Sequence, residues 1–468
     1  MNIKKLIATL VSGVLMFGFA ASASADNQFL YGASAQFAYW KAEAGPFLQS
    51  VYGGNYWLGC DSSGKYCVAQ SDTAGNPQIA IANKASFDGI CAIQGEFISQ
   101  LGHPHPLCVP PSGGAGVTDG YGNTCAPGQR PSVDPTTCNF GTLKGNSNPY
   151  SCSKTICTAV TAGLSDVQAQ SFVQYSQGMD IGPLGCATQN GVLACKITRD
   201  FKSNPMNATG LVDNTPIVVP FAFYVNNSVT DNSGNPIETL TPAQIKLIFS
   251  GAVEDWADLG SGFLDQPITV CFRHAGSGTH ATLDLTQFRP GQVLEKEDLS
   301  NYSGYNETTG AGFPFTSVAG YGYFFNDGTG DTINCVNGKG AGSWPHSNGA
   351  IAYADADYLY ENTTSSSTFY FHQVNYEIPN STNPSALVPA IQTGGYDFWS
   401  IENFYTVGSA TAFQQQLLTW AAERTNEIDP YYAQNCEMVF WKANDSDVPY
   451  FRGSATYGGG PACPNYQR

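Results

Sequence analysis

The chain has 468 residues, a formal net charge of −17, and only 12% charged residues. An acidic surface of this kind repels phosphodiester backbones and anionic lipid, which excludes nucleic acid and electrostatic membrane docking as functions. An anionic ligand gains nothing from long-range attraction here, so it must be held by short-range hydrogen bonds in a closed cleft.

In chain order, Lys4 and Lys5 precede an apolar run from Leu6 to about Ala21, and Ala23-Ser24-Ala25 supplies small residues for a peptidase. This pattern predicts a removed signal peptide over residues 1–25. Asp26 stands where a lipoprotein needs Cys, and no later stretch approaches the roughly 18 apolar residues of a membrane span. The expected mature chain begins near Asp26, is periplasmic or extracellular, and carries −19 once Lys4 and Lys5 are gone. Its length exceeds one ordinary core, so two domains are expected.

All 14 cysteines lie beyond the leader, an even number in an oxidising compartment, and structural disulfides are expected. Cys186–Cys195 and Cys436–Cys463 are the local pairs that the spacing favours. No CxxC occurs, and His103 and His105 merely flank a proline, so the spacing offers no zinc site and no cofactor is expected. Eight cysteines crowd between Cys60 and Cys157 among Gly-Gly, Pro-Pro and Asn-rich segments. Residues 60–157 therefore read as a disulfide-stapled, loop-rich insertion with little core of its own.

Before that stretch, Phe29–Tyr31 predicts a strand, Gly32-Ala33-Ser34 a turn, and Ala35 to about Val51 a helix. Ile217–Val225 is a continuous apolar run of buried-strand type. Thr241-Pro242-Ala243-Gln244 opens a helix with a capping box and proline at the first position, and Gly251 can end it. Ile268–Phe272 predicts a strand leading into Arg273-His274-Ala275-Gly276-Ser277-Gly278-Thr279, with a helix from His280 to Phe288. Gly349–Tyr353 is a further strand, Thr411–Arg424 an amphipathic helix, and residues 300–345 a Gly/Asn/Tyr-rich loop. Strands alternating with helices indicate α/β lobes.

The segment after Ile268–Phe272 carries the chemistry. An oxyanion needs several donors converging on its oxygens, and a helix start offers unpaired N–H groups and partial positive charge. Gly276 and Gly278 permit close approach, Ser277 and Thr279 add hydroxyls, and the planar fork of Arg273 can pair two oxygens. A nucleophilic Ser277 with His274 or His280 as base is the enzymatic alternative. The G-x-S-x-G elbow is absent, because Ala275 and Thr279 flank Ser277 at two residues' distance, and a binding protein rather than an enzyme is expected.

Three segments in sequence, "LTPAQIKLIFSGAVEDWADLG" (Leu240–Gly260), "ITVCFRHAGSGTHATL" (Ile268–Leu283) and "GAIAYADADYL" (Gly349–Leu359), together with "YGASAQFAYW" (Tyr31–Trp40), resemble the phosphate-binding proteins of ABC-type phosphate importers. The resemblance implies a two-lobed α/β fold of the type II periplasmic-binding kind. Residues 26–225 plus 391–468 would form the first lobe and 226–390 the second, with Trp399–Val407 returning the chain. It implies a phosphate or similar oxyanion clamped between the lobes, and a possible importer complex as partner. The opening turn maps to Ser34, Ala35, Gln36 and Phe37, and the second helix start to Arg273, Ser277, Gly278 and Thr279. A further serine turn, expected 25–30 residues after the first, maps to Ser63 beside Cys60 and Cys67. The aspartate of a Ser-Asp pair maps to Asp166, with Asp180 as the competing match. The family's acidic residue two after the arginine is Ala275 here, so another group must orient Arg273. The alternative on the same lobes is an extracellular structural or interaction protein.

Overall fold

The computed structural model describes residues 26–95, 117–140, 142, 148–172, 186–189, 192–195, 208–249, 252–273, 276–288, 322–326, 328–337, 349–358, 371–374, 384–428, 431–442 and 450–451. The expected leader, His103, His105, Asp180, Gly251, His274, Ala275 and Cys463 lie outside them.

The first lobe opens on β1 (Gln28–Ala33), buried along its whole length, followed by α1 (Ser34–Tyr52). Then come β2 (Tyr56–Asp61), β3 (Tyr66–Ser71), β4 (Gln78–Lys84) and α2 (Ser86–Ile93). After β5 (Gln129–Val133), β6 (Tyr150–Cys152) and β7 (Thr155–Ala159), β8 (Ala162–Ser165) returns to the middle of the sheet. A hairpin of β9 (Cys186–Gln189) and β10 (Val192–Cys195) precedes β11 (Leu211–Asn214). The eight-stranded order is β11-β18-β8-β1-β4-β3-β2-β6, where β18 (Asn403–Val407) comes from late in the chain. β1 runs parallel to both β4 and β8, so the C-terminal ends of all three point the same way. Helix α2 presses closely onto this centre. A Cβ on Gly89 would stand 2.6 Å from Tyr31 O and 2.5 Å from Leu164 O, which only glycine permits.

The second lobe is built on β12 (Ile217–Asn226), whose ten residues are all buried. α3 (Pro242–Phe249), β13 (Thr269–Arg273), α4 (Gly278–Leu283), β14 (Gly322–Asn326), α5 (Thr329–Val336), β15 (Ala350–Asp355) and β16 (Phe371–Val374) follow. Strand order is β14-β13-β15-β12-β16. α6 (Pro384–Thr393) leads to β17 (Trp399–Ile401), which pairs with the first half of β12. Beyond β18, α7 (Ala412–Ile428) packs on α1, β19 (Ala433–Gln434) pairs with β12, and β20 (Phe440–Trp441) pairs with β21 (Tyr450–Phe451).

Two expectations need correction. The sequence places Ile217–Val225 in the first lobe, but β12 lies inside the second sheet, between β15 and β16. A ten-residue apolar run buried on both faces suits an interior strand, not an edge. Two crossings between lobes therefore lie side by side at 214–217 and at Glu402, where Glu402 N donates to Ile217 O at 2.9 Å, and the chain crosses again between α7 on the first lobe and β19 on β12. Residues 60–157 are likewise not set apart as a loop insertion, because β3, β4 and α2 within that span belong to the body of the first lobe. The β4 segment, Gln78–Lys84, is an ordinary apolar strand that the neighbouring cysteines obscured.

The α3 start is as the sequence predicts: Gln244 N donates to Thr241 Oγ1 at 3.2 Å, and Thr241 N donates to Gln244 Oε1 at 2.8 Å. The helix expected over His280–Phe288 begins at Gly278 and widens to a π-helix at Asp284–Phe288. Disulfides join Cys60 to Cys67 across the β2–β3 hairpin, Cys125 to Cys157, Cys138 to Cys152, and Cys271 on β13 to Cys335 on α5. Cys91 and Cys436 are also disulfide-bonded, and Cys186 faces Cys195 in the β9–β10 register.

Candidate functional site

The C-terminal ends of β8 and β13 and the N-terminal ends of α2, α4 and α5 converge where the lobes meet. In open α/β sheets this is where ligands bind. Asp166 follows β8 directly and is 1% exposed. Its backbone N–H donates to Ser86 Oγ at 3.2 Å, and its Oδ2 accepts from Thr279 Oγ1 at 3.2 Å across the interface. Ser277 caps α4, its Oγ accepting from His280 N at 3.3 Å. A Cβ on Gly278 would stand 2.3 Å from Ser86 Oγ and 2.7 Å from Asp166 Oδ2. Glycine at 278 is what lets the two lobes touch. Beside it, Phe87 N donates to Gly276 O at 3.3 Å.

Arg273 ends β13 and is 1% exposed. Its Nη1 donates to Thr329 Oγ1 at 3.0 Å, and Thr329 Oγ1 lies 3.5 Å from Asp355 Oδ2 at the end of β15. The orienting carboxylate absent at Ala275 is thus supplied from β15 through a threonine. The backbone of Arg273 is braced as well: its N–H donates to Tyr353 Oη at 3.0 Å, and that Oη is 2.6 Å from His280 Nδ1. Burial holds the Tyr353 phenol well above its ordinary range, so it keeps its proton. Having accepted from Arg273, it donates to Nδ1, which puts the imidazole proton on Nε2. His280 is therefore spent on the scaffold, not poised over Ser277 as a base.

The site is rich in acids. Burial, and then the neighbouring charge of Asp355, push Asp166 up to about 7, against the opposing pull of Arg273 and hydrogen bonds from Thr279 and Glu402. Glu402, 0% exposed at the second crossing, is pushed well above the carboxylate range by burial and by Asp166, against hydrogen bonds from Ser400 and Gln36. Three buried carboxyls thus share the site with the Arg273 guanidinium.

Of the residues expected at the site, Asp166, Arg273, Ser277, Gly278 and Thr279 are brought together. The opening turn of α1 adjoins them through Gln36, whose Nε2 donates to Ser165 O at 3.1 Å and Asn403 O at 3.2 Å, and whose Oε1 accepts from Trp40. That amide braces Asp166 and the crossing strand. Ala35 O lies 2.6 Å from Tyr432 Oη, itself 3.0 Å from Asp357 Oδ2 in the second lobe. Ser34 is half-buried at the first turn of α1, and the Phe37 ring lies under Lys41 Nζ at 5.9 Å. Ser63 does not join them. It sits exposed in the β2–β3 turn, its hydroxyl donating to Asp61 Oδ2 at 2.6 Å. The serine that reaches the cleft is Ser86, which follows a parallel strand as Ser34 follows β1. Ser86, Thr329, Asp355 and Glu402 carry no sequence motif. The signal for Ser86 is a serine two residues past the apolar strand Gln78–Lys84.

Residues 200–425 match the family model described as a PBP superfamily domain. Among solved structures, one described as a phosphate ABC transporter substrate-binding protein with bound phosphate from Clostridium perfringens is 13% identical, with a TM-score of 0.43, covering 87% of this chain and 99% of its own. An ABC-type phosphate transport receptor from Vibrio cholerae is 11% identical, with a TM-score of 0.36, covering 86% of this chain and 96% of its own. A phosphate-binding protein from Stenotrophomonas maltophilia is 13% identical, with a TM-score of 0.34, covering 82% and 79%.

Proposed function

We propose that this chain, whose residues 200–425 match the PBP superfamily domain model, captures inorganic phosphate or a related oxyanion between its lobes as an exported solute-binding protein serving ABC-type uptake. The observation that carries this reading is the convergence of Arg273, the capped α4 start at Ser277-Gly278-Thr279, and Ser86 upon one buried carboxyl, Asp166. The guanidinium and hydroxyls offer donors to an oxyanion. Asp166 Oδ2 offers an acceptor, which a protonated phosphate can satisfy with its own hydroxyl. Sulfate, which is fully ionised at neutral pH, has no proton to give. A buried acceptor left unpaired costs about 1–3 kcal/mol, more when charged, so this carboxylate supports discrimination. Capture needs no covalent step: the lobes close about crossings that include the neighbouring pair at 214–217 and Glu402.

The test is a thermal-melt series with phosphate, sulfate, arsenate and molybdate. A ligand binding only the folded state raises stability with its concentration over Kd. Phosphate and arsenate are expected to raise the melting temperature, sulfate far less, and Arg273→Ala to abolish the rise. No shift with any oxyanion would overturn the reading in favour of an extracellular structural role.

A further inference from the structure

Glu402 has no part in the oxyanion contacts above, yet it is a fully buried acid at the point where the chain passes from β17 to β18. Its backbone N–H is spent on Ile217 O, and its Oε1 accepts from Ser400 Oγ at 2.8 Å. β18 runs antiparallel to β8 with Asn403 opposite Ser165, which sets Glu402 beside Asp166, and each acid acts on the other's protonation. As two carboxylates the pair could form no hydrogen bond, because both partners are acceptors. Glu402 Oε2 and Asp166 Oδ1 are also buried oxygens with no donor among the described residues. One proton placed between them satisfies both atoms and makes the bond real. Asp166 Oδ2 is the oxygen turned toward Thr279 and Gly278, so Oδ1 is the one left for the hinge acid.

We propose that Glu402 is a positioning and specificity-determining residue, which holds a proton and donates it to Asp166 Oδ1, so that Oδ2 stays an acceptor facing the anion. This rests on the oxyanion reading of the site. The charges around the pair favour this arrangement. Asp355 from β15 and Arg273 from β13 face Asp166 with opposite signs, and the Gln36 amide from α1 and the Ser400 hydroxyl from β17 face Glu402. Arg273 and Thr279 lie on the Asp166 side and favour its ionised form, so the shared proton rests on Glu402. Without that donor, Asp166 would hold its own proton to a higher pH than the about 7 it shows beside Glu402. Its Oδ2 side could then turn donor and accept a fully ionised anion. The same acid sits on the hinge, so the protonation that sets selectivity is built into the strand about which the lobes move.

The experiment compares the wild type, Glu402→Leu and Glu402→Gln in two measurements. The first is the pH dependence of stability without any oxyanion. An acid whose folded value lies above its unfolded one adds stability at low pH that is lost as pH rises. The wild type should therefore lose stability upward from about pH 4. Glu402→Gln, with one titrating acid gone, should lose less; an unchanged slope overturns the proton on Glu402. The second is the ratio of sulfate to phosphate Kd. In Glu402→Leu the preference for phosphate should fall at least ~10-fold just above neutral pH, where the wild-type Asp166 is ionised, and recover as the variant's Asp166 ionises at higher pH. Glu402→Gln, whose amide can still donate to Oδ1, should restore the preference to within about threefold of the wild type. A ratio unmoved in Glu402→Leu, or lost equally in both variants, overturns the proposal. Should the wild type bind neither anion, the oxyanion reading fails, and the ligand-free pH slopes still decide where the proton sits.

Discussion

At the scale of single residues, the contact between lobes rests on atoms with no room to spare. Gly278→Ala sets a methyl group against Ser86 Oγ and Asp166, two groups that cannot retreat without unmaking their own hydrogen bonds. Phosphate affinity should fall at least ~100-fold, about 3 kcal/mol, while the melting temperature without ligand changes little; titration calorimetry beside a thermal melt separates the two. Arg273→Lys keeps the charge and loses the planar fork held by Thr329, and a ~10–100-fold weaker Kd is expected. Arg273, Ser277, Gly278 and Thr279 were legible in the sequence because one short segment carries them all. Ser86 was not. The β2–β3 hairpin intervenes between α1 and β4, so the second serine turn falls 52 residues after Ser34, and a spacing rule lands on Ser63 in the hairpin's own turn. Asp355 and Glu402 escaped for another reason: an acid becomes functional here through burial and neighbours, and neither leaves a pattern in a single chain.

At the scale of elements, β13 and α5, whose ends carry Arg273 and Thr329, are tied together through Cys271 in the middle of β13 and Cys335 near the far end of α5, a link that closes 64 residues. Chain-entropy arguments give such a link about 4 kcal/mol. Replacing both cysteines by serine should lower stability in urea by that order and also weaken phosphate binding, because Thr329 loses its fixed distance from Arg273. Capping at α3 is a more local matter. Thr241→Ala removes the acceptor for Gln244 N and should cost about 1 kcal/mol in the same urea titration, leaving binding unchanged. Elements with one clear period or a strong cap, such as α1, α3, β13 and β15, were readable from the residues. β12 was readable as a strand but not as part of the second sheet, because apolar character reports burial without saying between which neighbours. The β2–β4 strands were hidden among cysteines that looked like the whole purpose of their stretch.

At the scale of the whole molecule, the acidic charge bears on an anion's approach, and the buried acids bear on the pH dependence of the fold. A net charge of −17 slows its approach, and added salt screens that repulsion. The association rate for phosphate in stopped flow should therefore rise with ionic strength, the reverse of an electrostatically steered binder. The shared acids also set a pH window for the fold. Asp166, raised from 3.8 to about 7, contributes stability that is fully present below the lower value and is lost as pH rises through the higher. Asp166→Asn should flatten the decline of melting temperature between those limits. A slope identical to that of the wild type would rule out a raised carboxyl at this position.

The strand that carries the chain into the second crossing also carries Trp399, buried, with Lys442 Nζ 4.0 Å from the centre of its indole and bonded to its carbonyl at 3.1 Å. An ammonium group at that distance perturbs an excited indole, and β17, paired with the start of β12, adjoins the crossing about which the proposed closure would turn. The molecule therefore contains its own optical gauge. Intrinsic emission should change in intensity as the lobes open and close, without any attached dye, and Lys442→Met should blunt that change while Trp256, deep in the second lobe, supplies the steady background.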